Sequence, residues 1–254
     1  MADIYEQLWN PQEYLSQYYS GNYVADDEKA NFEFMVTWLK QSQRIYERGI
    51  DFGCGCTLHH VMPLVPYVGE IHLADYLPEN LVELQKWLDN KPEAHNWDTY
   101  FREVLALEGN QDISANDLAL RKQQLGRKIT ALKLGNIRNS QPLPDDSTYD
   151  LVVSFYCLEA VTSSKSEWRT LMSNLGRLVA PGGTLFLSAI RKCQFYTVME
   201  KKFPVAAVNE TDFTAVLTEN GFDPAHTEIQ VIQIADWAEQ GFDSICIVKA
   251  EKSI

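Results

Sequence analysis

Residues 49–57 read GIDFGCGCT, a short apolar run that breaks into two glycines one position apart. A run of that kind is a strand entering a tight turn ahead of a helix. Gly53 and Gly55 omit the side chains that would keep a ligand away from the backbone there. Alone, the pattern is common. EIHLADY at 70–76 gives it weight, because this second strand places Asp75 twenty positions beyond Gly55. In open parallel sheets an acidic residue at that distance reaches the ribose hydroxyls of a nucleotide. The plainer role for Asp75 is to cap the helix that opens at Pro78.

The turn and its acidic partner admit two ligands, a dinucleotide or an adenosyl sulfonium. A dinucleotide fingerprint requires a third glycine three positions after Gly55, where Leu58 stands. Cys54, Cys56, His59 and His60 crowd the same turn, yet no second pair follows at zinc-finger spacing. No metal is expected.

The same alternation continues outward from the turn. Strands are expected at 129–137 (ITALKLGNI), at 149–156 (YDLVVSFY) and after the APGG turn at 180–183. The run at 149–156 is apolar almost throughout, as in a strand covered on both faces. Helical patterns occupy DDEKANFEFMVTWLKQSQRIYE, PENLVELQKWLDN, one or two segments within 91–128, SEWRTLMSNLGRLV and ETDFTAVLTENGF. Two β-rich segments, 227–235 and 243–250, close the chain. Strands alternating with helices predict an α/β fold with a doubly wound, mostly parallel sheet. One domain spanning 1–254 is expected, because no repeat or linker divides it.

The formal charge of −13 excludes nucleic acid as the main partner, since phosphate binding needs a basic face. It suits a cationic small molecule. No apolar run approaches the roughly 20 residues needed to cross a bilayer. The N-terminus MADIYEQLWN has no signal-peptide character, and five scattered cysteines fit reduced thiols. A cytoplasmic monomer that binds no membrane is expected.

Ahead of the first core strand, NPQEYLSQYYS at 10–20 lines Tyr14, Tyr18 and Tyr19 along one broad side of a short helix. Such a stripe either packs the helix down or closes a ligand site, excluding water while its hydroxyls hold polar groups.

NPQEYLSQYY, DFGCGCT, ADYLPENLVELQKWL, KPEAHNW, LKLGNIRNSQPLP, CLEAV and NLGRLVAPGGTL occur here in the order found in the small-molecule N-methyltransferases. The chain resembles that family, which includes the nicotinamide, phenylethanolamine and indolethylamine enzymes, from about residue 10 to the last strand. The resemblance implies a Rossmann-like class I methyltransferase fold: a mostly parallel seven-stranded sheet with one antiparallel strand, and an N-terminal helical lid within 1–45. It implies S-adenosylmethionine as cofactor. Tyr14 and Tyr19 match lid tyrosines that hold its methionine part, and Tyr14 also faces the substrate as a catalytic residue. Gly53, Cys54, Gly55 and Thr57 match the loop beneath the sulfonium and carboxylate. Asp75 and Asn80 match the ribose ligands, Tyr76 lies against the adenine, Asn136 and Ile137 match the pair at its edge, and Phe155 joins the cofactor set. Glu159 matches the acidic residue that faces the substrate nitrogen, and Tyr196 a tyrosine of the substrate pocket. Tyr18 matches no ligand.

Two positions depart from the pattern. Asn136 stands where aspartate is frequent, a mild change because an amide also bonds an exocyclic amine. Ser188 stands where the nicotinamide enzymes carry the aspartate that fixes the carboxamide, which disfavours nicotinamide. Arg191 and Lys192, just past that strand, are either solvated charge or a site for a substrate carboxylate or phosphate.

Methyl transfer from a sulfonium is an in-line displacement, so the protein positions the reactants and excludes water. Glu159 is the expected catalytic carboxylate, attracting a cationic amine or guanidine and accepting its proton directly or through water. The competing readings are a pyridine-type N-methyltransferase, a nicotinamide-dinucleotide oxidoreductase and a cofactor-binding protein without catalysis.

Overall fold

The computed structural model describes residues 2–237 and 240–254. In chain order, its strands are β1 (Tyr46–Phe52), β2 (Val68–Asp75), β3 (Ile129–Leu134), β4 (Tyr149–Phe155), β5 (Val179–Ile190), β6 (Phe195–Val198), β7 (Lys201–Pro204), β8 (Glu228–Gln233) and β9 (Ser244–Glu251). Seven of them form one sheet in the order β3-β2-β1-β4-β5-β9-β8, and β6 pairs with β7 in a separate hairpin. β1 to β5 pair in parallel, whereas β9 runs antiparallel to both β5 and β8. This is the expected mostly parallel sheet with one antiparallel strand.

Burial on both faces explains why the central strands read as apolar runs. Ile50, Val152 and Leu185 face one core with Trp168 and Leu175 of α7 (Lys165–Gly176) and Phe213 of α8 (Glu210–Glu219). Leu151, Val153 and Phe186 face the other core, with Phe32 and Met35 of α3 (Asp26–Ser42), Leu84 of α4 (Pro78–Leu88), Phe101 of α5 (Asp98–Leu107) and Leu125 of α6 (Ala115–Lys128).

The segment after the glycine turn corrects one expectation. It forms a six-residue 3-10 helix, His59–Leu64, rather than an α-helix. Pro63 lies inside it, and a ring without an N–H cannot continue an α-helical ladder.

Two helices precede α3, namely α1 (Ala2–Leu8) and α2 (Pro11–Tyr19). The start of α2 follows from NPQE: the Asn10 side chain accepts from the amides of Gln12 and Glu13, and Pro11 occupies the first turn. α2 lies across the carboxyl ends of the strands, touching α4 on one side and β6 on the other. No helix among the described residues is long and apolar enough to cross a membrane.

Candidate active site

The strand order reverses between β1 and β4, the place where an open sheet leaves a crevice beyond its carboxyl ends. A cavity with about 1360 Å³ of empty space, the open solvent at its mouth included, lies there. Tyr14, Tyr19, Gly53, Cys54, Gly55, Thr57, Asp75, Tyr76, Asn80, Asn136, Ile137, Phe155 and Tyr196 all line it. Glu159 and Ser188 do not.

The glycine turn is built differently from an anion cradle. Both glycines have left-handed backbone, at φ 76° and 60°. A Cβ on Gly53 would stand 2.1 Å from the Cys157 sulfur, whereas one on Gly55 would meet nothing within 4 Å. The turn's amides are already engaged: Gly53 and Cys54 donate to the Ala74 carbonyl, Thr57 donates to that of Cys54, and Gly55 donates to Asp75 Oδ2 at 2.8 Å. A pyrophosphate would need those amides free, and also a helix N-terminus that the short 3-10 turn does not supply. Space and a carboxylate are what remain. Asp75 Oδ1 accepts from the Leu77 amide and from Asn80 Nδ2, both at 2.9 Å. Three donors leave one lone pair of a carboxylate open. An open carboxylate lone pair and committed amides suit an adenosyl group better than a pyrophosphate.

The N-terminal segment roofs the cavity. Trp9 donates its indole N–H to Asn80 Oδ1 at 2.7 Å, tying the segment to the ribose end. At the opposite end Tyr18 donates to the Thr197 carbonyl at 2.6 Å and lies 2.8 Å from Gln240 Oε1, while Gln17 also donates to Thr197. Tyr18, unmatched in the sequence comparison, is thus a cavity residue and a tether. Tyr14 and Tyr19 join their hydroxyls at 3.3 Å, and Tyr19 reaches Glu28 Oε1 at 3.4 Å. Burial holds both phenols well above their ordinary range, so they are neutral donors.

Beneath this roof His59 and His60 meet Glu28 of α3, not the neighbouring cysteines. Glu28 Oε1 is 2.9 Å from His59 Nε2, and Oε2 is 3.1 Å from His60 Nε2. Asn31 Nδ2 donates to the same carboxylate at 3.3 Å. Burial works to raise the Glu28 carboxyl, but the two imidazoles outweigh it and hold the group well below the carboxylate range. Burial brings His59 down to about 4. It also works against His60, where the charges of Glu28 and Asp51 prevail and raise the imidazole. Glu28 is therefore ionised and His60 its charged partner. The three ligand atoms lie within 4.8 Å of one another, as cation ligands do, and they are already satisfied by each other. The thiols of Cys54 and Cys56 are pushed well up by burial and stay apart from the cluster.

The ends of β4 and β5 correct the expectation for Glu159. Its carboxylate is 1% exposed and accepts from the Ile190 amide at 3.0 Å, while its carbonyl accepts from Ala206. Nearby Cys157 and Ala160 face the cavity, whereas Leu158 joins the core and Glu159 faces the end of β5. It fixes Ile190, a wall residue. Ser188 is buried opposite Phe155 of β4. Arg191 makes two bonds to Glu210, at 2.7 and 2.8 Å, and Lys192 is exposed. Neither lines the cavity, so the substrate-anion alternative is set aside.

Tyr5, Trp9, Asp27, Glu28, His60, Tyr156, Trp237 and Gln240 line the cavity without having been singled out for it in the sequence. Asp27 stands in the first turn of α3, 7% exposed, and accepts from the indole N–H of Trp237 at 3.0 Å. Burial, reinforced by the Glu28 charge, pushes its carboxyl up to about 7. Tyr156, the residue after β4, has φ 54° and accepts from Asn31 at 2.9 Å. A non-glycine residue held in left-handed backbone beside a cavity is a frequent mark of a working site.

The model of the NNMT/PNMT/TEMT family matches residues 1–253. Among curated relatives, nicotinamide N-methyltransferase of Sus scrofa is 29% identical over 236 residues, 89% of this chain and 87% of that one. Indolethylamine N-methyltransferase of Mus musculus is 26% identical over 99% of this chain and 96% of its own. Human phenylethanolamine N-methyltransferase is 26% identical over 75% and 72%. Among solved structures, magnesium protoporphyrin IX methyltransferase of Synechocystis PCC 6803 with bound S-adenosylmethionine superposes at a TM-score of 0.58, with 15% identity, 99% of this chain and 94% of that one. N-methyltransferase NodS of Bradyrhizobium japonicum WM9 with S-adenosylhomocysteine gives 0.53 at 15% identity, covering 96% and 99%. These two show a shared fold. A family match along almost the whole chain, over a cavity shaped for an adenosyl group, makes this chain a member of the NNMT/PNMT/TEMT family and an S-adenosylmethionine-dependent N-methyltransferase.

Proposed function

We propose that the acceptor is a small molecule with a basic nitrogen, an amine or a guanidine, and that the chain acts on it as a cytoplasmic monomer. The observation that carries this reading is the wall of the cavity beyond the glycine turn. It joins Tyr14, Tyr18, Tyr196, Trp237 and Phe242 to carboxyl groups from the start of α3; among the described residues no lysine lines the cavity, and its arginine, Arg138, is already paired with Glu167 and the Val161 carbonyl. Aromatic faces and carboxylates together favour a cation. Five free cysteines support a reducing compartment.

In this reading Asp75 and Asn80 hold the ribose hydroxyls, and Tyr76, Asn136 and Ile137 enclose the adenine. Gly53, Cys54, Gly55, Thr57, Phe155, Tyr14 and Tyr19 surround the methionine part. S-adenosylmethionine, when bound, supplies an electrophilic methyl group. The remaining tasks belong to the chain: Tyr14 and Tyr196 orient the acceptor, the roof excludes water, and a carboxyl takes the proton that frees the nitrogen lone pair. A carboxamide-bearing pyridine is the weaker candidate, because Ser188 presents no group to the cavity.

The test is a panel of amines, guanidines and heteroaromatic nitrogens, read by formation of S-adenosylhomocysteine, with melting curves alongside. S-adenosylmethionine and S-adenosylhomocysteine are expected to raise the melting temperature and nicotinamide dinucleotides to leave it unchanged. Nicotinamide as the best acceptor would overturn the substrate assignment.

A further inference from the structure

We propose that Asp27, rather than Glu159, is the carboxylate that receives the cationic nitrogen of the acceptor. The proposal rests on the amine or guanidine reading above and names the residue that would carry it.

Among the described residues three carboxyl groups line the cavity: Asp75, Glu28 and Asp27. Asp75 is committed to the Leu77 and Gly55 amides and to Asn80, at the ribose end. Glu28 is surrounded by His59, His60, Tyr19 and Asn31, which use its lone pairs. Asp27 is different. Trp237 donates to its Oδ1, and the hydroxyl of Tyr156 also favours its charged form. With the Glu28 backbone amide as a third donor, about one of the roughly four acceptor sites of a carboxylate remains open to a ligand in the cavity.

Its surroundings are those of a cation site. The rings of Tyr18 and Trp237 stand 5.1 Å apart, and those of Tyr14 and Tyr18 5.0 Å apart, all three on the cavity wall. An ammonium or guanidinium between such faces gains from the ring quadrupoles, and Asp27 adds an opposite charge in a desolvated place. Without that cation, burial leaves Asp27 half protonated near neutral pH. With a primary ammonium bound, one N–H proton passes to the carboxylate, leaving a neutral amine with its lone pair and a neutral acid. Both charges vanish together, so no ion is stranded in the cavity.

The Trp237 indole anchors Asp27 in place. That contact spans 210 residues of sequence, so it exists only in the folded chain.

Benzylamine and benzylguanidine serve as cationic probes and benzyl alcohol as their neutral match, titrated calorimetrically into protein saturated with S-adenosylhomocysteine. Wild type is expected to prefer the cations by about tenfold or more, the scale of one charge-assisted contact. Asp27→Asn is expected to abolish that preference while keeping its affinity for benzyl alcohol and S-adenosylhomocysteine. Asp27→Glu, which keeps the charge, is expected to retain it, as is Glu159→Gln. A melting transition that rises with S-adenosylhomocysteine verifies that each variant is folded. A preference that survives Asp27→Asn, or one lost in Glu159→Gln, overturns this proposal alone. No cation preference in wild type overturns both this proposal and the amine reading.

Discussion

Glu159 was legible in CLEAV as an acid at the mouth of the sheet, and burial does push it up to about 7. What the sequence could not show is the direction of its side chain, because the chain turns after β4 so that Cys157 and Ala160 face the cavity while Leu158 and Glu159 between them are buried away from it. Asp27 and Glu28 were hidden for the opposite reason. In ADDEKANF they read as the acidic first turn of a helix, which they are, and their burial is created by a 3-10 helix and an indole distant in sequence. The raised Glu159 carboxyl has a consequence for stability. Its folded value lies above its ordinary 4.5, so the folded chain binds the proton more tightly than the unfolded chain does. The resulting stabilisation is complete below about pH 4.5 and is lost as pH rises through 7. Glu159→Gln cannot ionise, so its unfolding free energy is expected to gain on that of wild type between pH 5 and pH 8, by on the order of 3 kcal/mol at the end, seen as a widening gap in melting temperature. Asp27 and Asp51, both also raised to about 7, and Glu28, which is lowered, are common to the two proteins and drop out of the difference. Parallel melting curves across that range would remove the ionisation argument for Glu159.

Among the elements, strands with apolar runs and helices with strong caps were readable from local pattern, as NPQE at α2 and PENL at α4 show. The hairpin β6–β7 was not. Its strands are four residues each, and its turn at Met199 and Glu200 lacks the glycine or asparagine that marks a tight hairpin, although Met199 has φ 52°. That hairpin changes the meaning of the tyrosine stripe, because it supplies the Thr197 carbonyl to which α2 is tied. Tyr18→Phe is expected to weaken S-adenosylhomocysteine binding by about 1–2 kcal/mol through loss of that tether. Tyr19→Phe is expected to cost less, since its bonds are long, 3.3 and 3.4 Å. Calorimetric titration of both variants decides it. The reverse ranking would mean that the roof is held from the Glu28 side.

At the scale of the molecule, the doubly wound sheet was legible because glycine turn, acidic strand end and alternating elements all pointed to one topology. The shape of the acceptor chamber was not, since it is assembled from the start of α3, the end of β4, the hairpin and the segment around Trp237, four places spread over the chain. The start of α3, the hairpin and the segment around Trp237 each meet the N-terminal segment, through Tyr19, Thr197 and Tyr18. That segment is pinned at both rims, by Trp9 on Asn80 and by Gln17 and Tyr18 on Thr197. Both spent cofactor and methylated product lie behind the same door, so neither leaves until a latch at one rim lets go. Turnover is then paced by escape and not by bond making. Mixed rapidly with saturating ligands, the enzyme is expected to show a burst of about one S-adenosylhomocysteine per active site before a slower steady rate. Loosening the latch with Tyr18→Phe is expected to shrink the burst and speed the steady phase. A linear time course from the first turnover would place the slow step in the chemistry instead.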